Sequence, residues 1–337
     1  MAASKITTRI ASLAALTLLL SSCGRLNARH GHHASQELDM PLGYPKSSYV
    51  SQVAAGFAQT ASGDPLNLGI NLHYRGSLVP ANDIKDAVAA GRAPIGERLL
   101  SAEAASNPLY SYDSIPFLAA GLEDNARLAR IARPALREAL AAEGLELLYS
   151  VPFLPQGIYS NRRFDSLADL RGLRLRVYSA NSERVAELLG MVPVYVENAN
   201  VLAAIEEGRV DAVLTSAVSG VSLKLWNHYR YFHALNAWMP RAYAFANRRS
   251  FWRRLRRDQR AALAAAGRAA EEHGLLIAQL SEEAMLKTLA INGVEVREPG
   301  QGFKDELKDA TAVMREEWLA STGEAGAAIL RSFGGGR

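Results

Sequence analysis

"LRGLRLRVYSANSERVAELLG", residues 170–190, holds a strand, a turn and a helix in succession, and its reading sets the fold class. Leu173, Leu175 and Val177 alternate with Arg174, Arg176 and Tyr178. That period of two predicts a half-buried strand with Arg176 and Tyr178 together on its polar face. Ser179 or Asn181 is placed to cap the helix that follows, and Gly190 to end it. The first turn of such a helix directs free N–H groups back at the strand end, where an anion is stabilised. Strand-to-helix units of this kind build α/β proteins, whose ligands bind at the carboxyl ends of the strands. Arg176 therefore stands at the mouth of a predicted crevice.

The same pattern extends in both directions. Downstream, "PVYVEN" reads as a strand, "ANVLAAIEEG" as a helix closed by Gly208, and "VDAVLTSAVSG" as a strand emerging into Thr215 and Ser216. Three strand ends thus converge on one polar spot. "VSLKLWNHYRYF" is predicted helical, and "HALNAWMPRAYAFANRR" carries the chain back past Trp238 and Pro240. Residues 250–296 then sustain helical periodicity too long for one small domain, as a helix braced across two lobes would. Upstream, "ELDMPLGY", "LNLGINLHY", "RAPIGERLLSA" and "LELLYSVPF" read as strands. Between them come helices over "SSYVSQVAAGFAQTA" and "ANDIKDAVAAG", an apolar loop "SYDSIPFL", and two helices, "LEDNARLARIA" and "PALREALAAEG", separated at Pro134. The expected class is α/β with mostly parallel sheets.

At 337 residues the chain fits two lobes. Hydrophobic residues at 49% and charged residues at 21% match folded globular proteins and exclude a disordered or polytopic membrane chain. Lys5 and Arg9 precede the short apolar run "IASLAALTLLL", the pattern of an export signal over residues 1–22. Without those two cations the net charge of +4 becomes only mildly basic, so nucleic acid is not an expected partner. "LSSCG" resembles a bacterial lipobox, with Cys23, the only cysteine, as the lipid-bearing residue. Gly24 after it, rather than aspartate, is compatible with sorting to an outer membrane. Residues 23–36 then read as a tether that holds a periplasmic body at a membrane surface. His30, His32 and His33 lie in that tether with no carboxylate or thiolate arranged around them, so no metal site is expected.

Taken in order, "GYPKSSY", "GSLVPANDIKDAVAAGRAPIGERLLSA", "DSIPFL", "LLYSVPFLPQGIYS", "SLADLRGLRLRVY", "LLGMVPVYV", "AAIEEGRVDAV" and "LAINGVEVREP" resemble the substrate-binding subunit of TRAP transporters, the DctP-like family. The resemblance implies a periplasmic-binding-protein-like clam of type II form with a long helix spanning both lobes. Lobe I would comprise residues 37–152 and 241–280, lobe II residues 153–240 and 281–333. It implies capture of a small carboxylate by hinge closure and delivery to a membrane permease, with no cofactor. In the family the arginine ending this strand meets the ligand carboxylate, and Arg176 holds the matching position. A guanidinium stays charged and its planar fork matches a carboxylate.

The chain departs from the family's pattern in places. Val213, Leu214 and Thr215 stand where many members carry glutamine, glutamate and asparagine, and Gln156 stands where sialic-acid-binding members use a second arginine. One fixed cation is then expected to face the ligand, which disfavours sialic acid. A monocarboxylate is expected, aromatic or an oxo or hydroxy acid, with four-carbon dicarboxylates the alternative. Tyr159, Tyr178 and Trp238 are candidate walls, Ser216 and Tyr44 further contacts. Glu97 either accepts hydrogen bonds from ligand hydroxyls or pairs with Arg98, Arg92 or Arg176.

Other classes find little support. His-Glu-x-x-His, a phosphate-cradling glycine loop, Gly-x-Ser-x-Gly and paired cysteines are all missing from the sequence, which disfavours an enzyme. A receptor that presents its ligand to a sensor protein remains the alternative to transport. The arginine run "RRLRRDQR" opens a helix and reads as a solvated face.

Overall fold

The computed structural model describes residues 36–334. The leader, Cys23 and the three tether histidines lie outside those residues. Strands β1 (Gln36–Pro41) and β2 (Leu68–His73) pair in parallel, and helix α1 (Tyr49–Ala61) connects them. It buries Val50, Val53, Ala54 and Phe57, the face that its spacing predicts. Helix α2 (Ile84–Ala89) leads into β3 (Ile95–Leu99), which meets the end of β1 through a bridge between Leu42 and Glu97. Helix α3 (Leu122–Ala142) precedes β4 (Leu145–Pro152). It is one helix, not the expected two. Leu128, Ala132, Leu136 and Leu140 keep one buried stripe in register across Pro134, and that packing outweighs the hydrogen bond the proline removes.

The chain crosses after β4 into the second lobe. There follow β5 (Gln156–Ser160), β6 (Arg174–Val177), α4 (Ala180–Leu188), β7 (Val192–Tyr195), α5 (Val201–Glu206), β8 (Ala212–Ser216), α6 (Ala217–Ser222) and β9 (Tyr231–His233). Residues 221–232 are not the predicted helix. Lys224 turns left-handed at φ 51°, and Tyr231, Phe232 and His233 leave helical geometry to pair with β5, burying all three. Strand β10 (Arg241–Asn247) then returns to the first lobe, inserting between β3 and β4.

Helix α7 (Arg257–Ile291) spans 35 residues, about 52 Å at 1.5 Å per residue. Its small-residue face lies directly on β4: a Cβ at Gly267 would meet the Leu148 carbonyl oxygen at 2.5 Å. Farther along, Leu289 joins the core of the second lobe, so α7 braces both lobes as predicted. Strand β11 (Glu295–Arg297) and helices α8 (Gln301–Thr311) and α9 (Val313–Gly334) complete the chain.

The second sheet runs β11-β9-β5-β8-β6-β7. In each lobe the strands share one direction except for a single reversed strand, β10 in the first and β5 in the second. Met40, Leu42, Phe57, Tyr149 and Phe245 centre the first core, and Ile158, Leu175, Val177 and Leu214 the second. The chain leaves the first sheet after Pro152, the end of β4, and re-enters it at Arg241, the start of β10. The C-terminal helices pack on both lobes. Phe303, Leu307 and Met314 pack in the second lobe, but Trp318, Ile329, Leu330 and Phe333 return to the first. The Trp318 indole Nε1–H donates to the Pro108 carbonyl at 2.9 Å and fixes that return.

Candidate functional site

A cleft of about 820 Å3, open mouth included, lies between the lobes. Its first-lobe wall is the carboxyl end of the sheet: Gly43, Tyr44 and Ser48 follow β1, Leu99 ends β3 and Ala102 follows it, and Phe153 follows β4. The second-lobe wall carries Arg176 and Tyr178 from β6, Thr215 and Ser216 from β8, and Ser219 from α6. Gln156 and Pro240, on the two crossing segments, form the floor. The size suits a small molecule.

Arg176 is 3% exposed. Its Nε–H donates to the Val196 carbonyl at 2.9 Å and one terminal nitrogen to the Leu214 carbonyl at 3.0 Å. These bonds fix the guanidinium plane yet leave its charge unmatched, because no carboxylate among the described residues forms an ion pair with it. Burial pushes its pKa down to about 10, so it remains a cation at any working pH. Its Cζ lies 5.1 Å from the centre of the Tyr178 ring, a cation–π arrangement. The Tyr178 hydroxyl donates to Gln156 Oε1 at 3.1 Å and accepts from the Trp238 Nε1–H at 3.2 Å. Gln156 Nε2 donates to the Leu154 carbonyl at 2.9 Å. The floor is thus a fixed chain of side chains, in which both ends of the Gln156 amide are engaged.

Six of the nine predicted ligand residues meet in this cleft: Arg176, Gln156, Tyr178, Thr215, Ser216 and Tyr44. Three do not line it. Trp238 lies behind Tyr178 and holds it from the core. Tyr159 faces the other side of β5, packed on Phe232 with ring centroids 4.4 Å apart and the planes tilted by 32°, and a Cβ at Gly220 would lie 1.9 Å from its hydroxyl. Glu97 is fully buried under the first-lobe wall. It pairs with none of the three arginines considered for it; it accepts a hydrogen bond from the Tyr149 hydroxyl at 2.8 Å, and desolvation raises its pKa to about 8.

The N-terminus of α4 also differs from expectation. Ser182 Oγ accepts from the amides of Tyr178 and Ser179, and Ser179 Oγ accepts from the Ser182 amide, so the serines take up donors that an anion would use. Ala180 and Asn181 face a separate groove beside α9.

The sequence reading missed Phe153, which packs edge-on against Tyr44 at 5.1 Å, and Arg98. Arg98 is a second cation at the cleft, but its Nε–H is bonded to Glu103 and its other nitrogens to Asn82 and the Ala81 carbonyl. Its charge is already answered. At the mouth the lobes touch: the Tyr195 hydroxyl reaches Asn82 Oδ1 at 3.4 Å while donating to Glu197 at 2.7 Å. Among the described residues no group of three or more histidine, cysteine or carboxylate side chains is set to hold a metal.

The profile of the DctP family, bacterial extracellular solute-binding protein family 7, matches residues 43–321. The chain belongs to this family. As a DctP protein it is an extracytoplasmic solute receptor and not an enzyme. It is similar to a Bordetella pertussis extracytoplasmic solute receptor binding pyroglutamic acid, at 33% identity over 88% of this chain and 99% of that one, with a TM-score of 0.85. A marine metagenome TRAP solute-binding protein specific for pyroglutamate, solved with the co-purified ligand, is 34% identical over 89% of this chain and 98% of that one, with a TM-score of 0.86. A Haemophilus influenzae TRAP solute-binding protein with bound L-gulonate shares the fold at a TM-score of 0.83 but only 16% identity, over 90% of this chain and all of that one. No protein of curated function matches the chain.

Proposed function

We propose that this DctP protein captures a small monocarboxylic acid of the pyroglutamate type, closing its lobes so that the ligand carboxylate pairs with Arg176, and passes it to a TRAP permease. The observation that carries the reading is the buried, fixed guanidinium of Arg176, which lines the cleft and forms no ion pair among the described residues, Glu197 on the same cleft acting on it only through its field. A ligand carboxylate supplies the missing charge, and two parallel N–H···O bonds suit the guanidinium fork. A second ligand carboxylate lacks a partner, since Arg98 is matched by Glu103; this favours one carboxylate over two. Tyr44, Phe153 and Tyr178 offer apolar faces to a small ring, and the Thr215 and Ser219 hydroxyls offer polar contacts to a lactam edge. Pyroglutamate, which relatives of 33% and 34% identity bind, meets these demands. Closure is driven by contacts that the acid makes with both lobes at once. In this reading Cys23 carries the lipid anchor.

The test is calorimetric titration of the chain from residue 24 with L-pyroglutamate, orotate, gulonate, lactate and succinate, beside Arg176→Ala. Binding of pyroglutamate by the wild type and not by the variant is the expected result. Tight binding of succinate alone, or equal binding by both proteins, refutes the assignment.

A further inference from the structure

The arginine run set aside as a solvated face has a position that the sequence does not reveal. Residues 248–260, "RRSFWRRLRRDQR", carry seven arginines and one acid. Arg248 pairs with Glu146 and Arg256 with Asp258, while Arg249, Arg253, Arg254, Arg257 and Arg260 form no ion pair among the described residues. Four of these five, Arg249, Arg253, Arg254 and Arg257, are exposed, in the turn after β10 and the first residue of α7. Trp252, half-buried, sits in the middle of them. An aromatic ring with a polar edge, ringed by cations, is chemistry that favours a headgroup layer.

The location gives this patch its meaning. The cleft occupies the ends of β1, β3 and β4 and the start of β10, whereas the arginines follow the far end of β10, seven residues or about 23 Å away. The same far edge holds the start of β1 at Gln36, paired with Leu68, and Gln259 Nε2 donates across to the Pro65 carbonyl at 3.5 Å. The chain leading back to Cys23 therefore leaves the body beside the arginines. Only residues 24–35 separate Cys23 from Gln36, a reach of at most about 47 Å.

We propose that this edge is a membrane-facing surface, on which Arg253, Arg254, Arg257 and Trp252 rest against the headgroups of anionic phospholipids. The cleft then points away from the bilayer that holds the tether. An anionic leaflet attracts basic residues near its surface, and the attraction is lost within a Debye length as salt rises. The inference does not depend on which acid the cleft takes, or on whether it takes one.

The experiment is co-sedimentation of the chain from residue 24, which has no lipid of its own, with vesicles of phosphatidylglycerol and phosphatidylethanolamine or of phosphatidylcholine alone, at low and at physiological salt. Binding to the anionic vesicles that weakens with salt is expected. Arg253→Glu/Arg254→Glu/Arg257→Glu should lower the vesicle partition coefficient at least tenfold, since each basic residue contributes roughly a fivefold factor. Arg130→Glu/Arg162→Glu/Arg163→Glu, which makes the same charge change at exposed sites elsewhere, should lower it much less. An equal drop in both triple variants, or no binding to anionic vesicles at low salt, overturns the proposal. Thermal denaturation of each variant confirms that it is folded before the comparison is drawn.

Discussion

Arg176→Met separates a binding role from a structural one, because the two roles move stability in opposite directions. Burial lowers the guanidinium pKa to about 10, which corresponds to roughly 3 kcal/mol of disfavoured charge. Since that value stays above any working pH, the group is protonated in both folded and unfolded chains, and the cost has no pH signature. Only substitution reveals it. Methionine has a similar length and no charge, but it gives up the hydrogen bonds to the Val196 and Leu214 carbonyls, about 1 kcal/mol each. The balance is a gain of about 1 kcal/mol for the unliganded variant, or about 2–4 °C in Tm for a chain of this size. Binding moves the other way: losing an enclosed charge pair costs about 2–5 kcal/mol, so Kd should rise about 30- to 5000-fold. Differential scanning fluorimetry with and without saturating pyroglutamate reads both effects. An unliganded Tm that falls by 5 °C or more would show that Arg176 holds the fold together, and the argument from an unanswered charge would fail.

Three further outcomes follow from the geometry. Glu97 has a folded pKa of about 8, above its unfolded value, so the folded chain holds the extra proton between about pH 4.3 and 8 and its stability falls as pH rises through that window. Asp113, raised to about 7 by burial, adds a slope of its own, so the informative quantity is a difference: Glu97→Gln should melt above the wild type at pH 8 but not at pH 5. The Tyr159 hydroxyl is buried without a hydrogen-bond partner among the described residues, so Tyr159→Phe should raise Tm by a few degrees in thermal denaturation and leave ligand affinity unchanged. Tyr195→Phe removes the contact to Asn82 across the cleft mouth and should raise Kd about two- to fivefold, seen by titration calorimetry chiefly as faster release.

The parts of the site that could be read from sequence lie on strands with one polar and one apolar face. In β6 the alternation of Leu175 and Val177 with Arg176 and Tyr178 assigned both site residues to one side, and the structure places both in the cleft. Strands β5 and β8 are buried along their whole length, so alternation says nothing about which side is which. Spacing still carried a constraint that went unused: Gln156 and Tyr159 are three apart on β5 and cannot share a face. Glu97 misled in the same way, since a carboxylate suggests the cleft, whereas this one is buried in β3 against Tyr149. Phe153 lies in the short crossing after β4, where no period exists to assign it. The return of α9 to the first lobe has no local signal, since the hydrogen bond from Trp318 to Pro108 joins residues 210 apart. Pro134 marked a break that the longer stripe of α3 overrode.

The reversed strand of the first lobe has a consequence for how the protein comes into being. Strand β10 lies between β3 and β4, yet it follows the whole β5–β9 segment in the chain. A chain emerging N-terminus first presents β1 to β4 long before the strand that joins β3 to β4, and until Arg241–Asn247 arrives those two have no common neighbour. The second lobe, whose strands except β11 lie together in residues 156–233, can assemble meanwhile. The half that begins first therefore finishes last, its edges open to mispairing throughout the interval. A fragment ending at residue 240 should be insoluble although it contains most of both lobes. The last-arriving strand is also the one that leads directly into the arginine turn and the bracing helix, so closing the first sheet and setting the frame of the whole receptor are a single event.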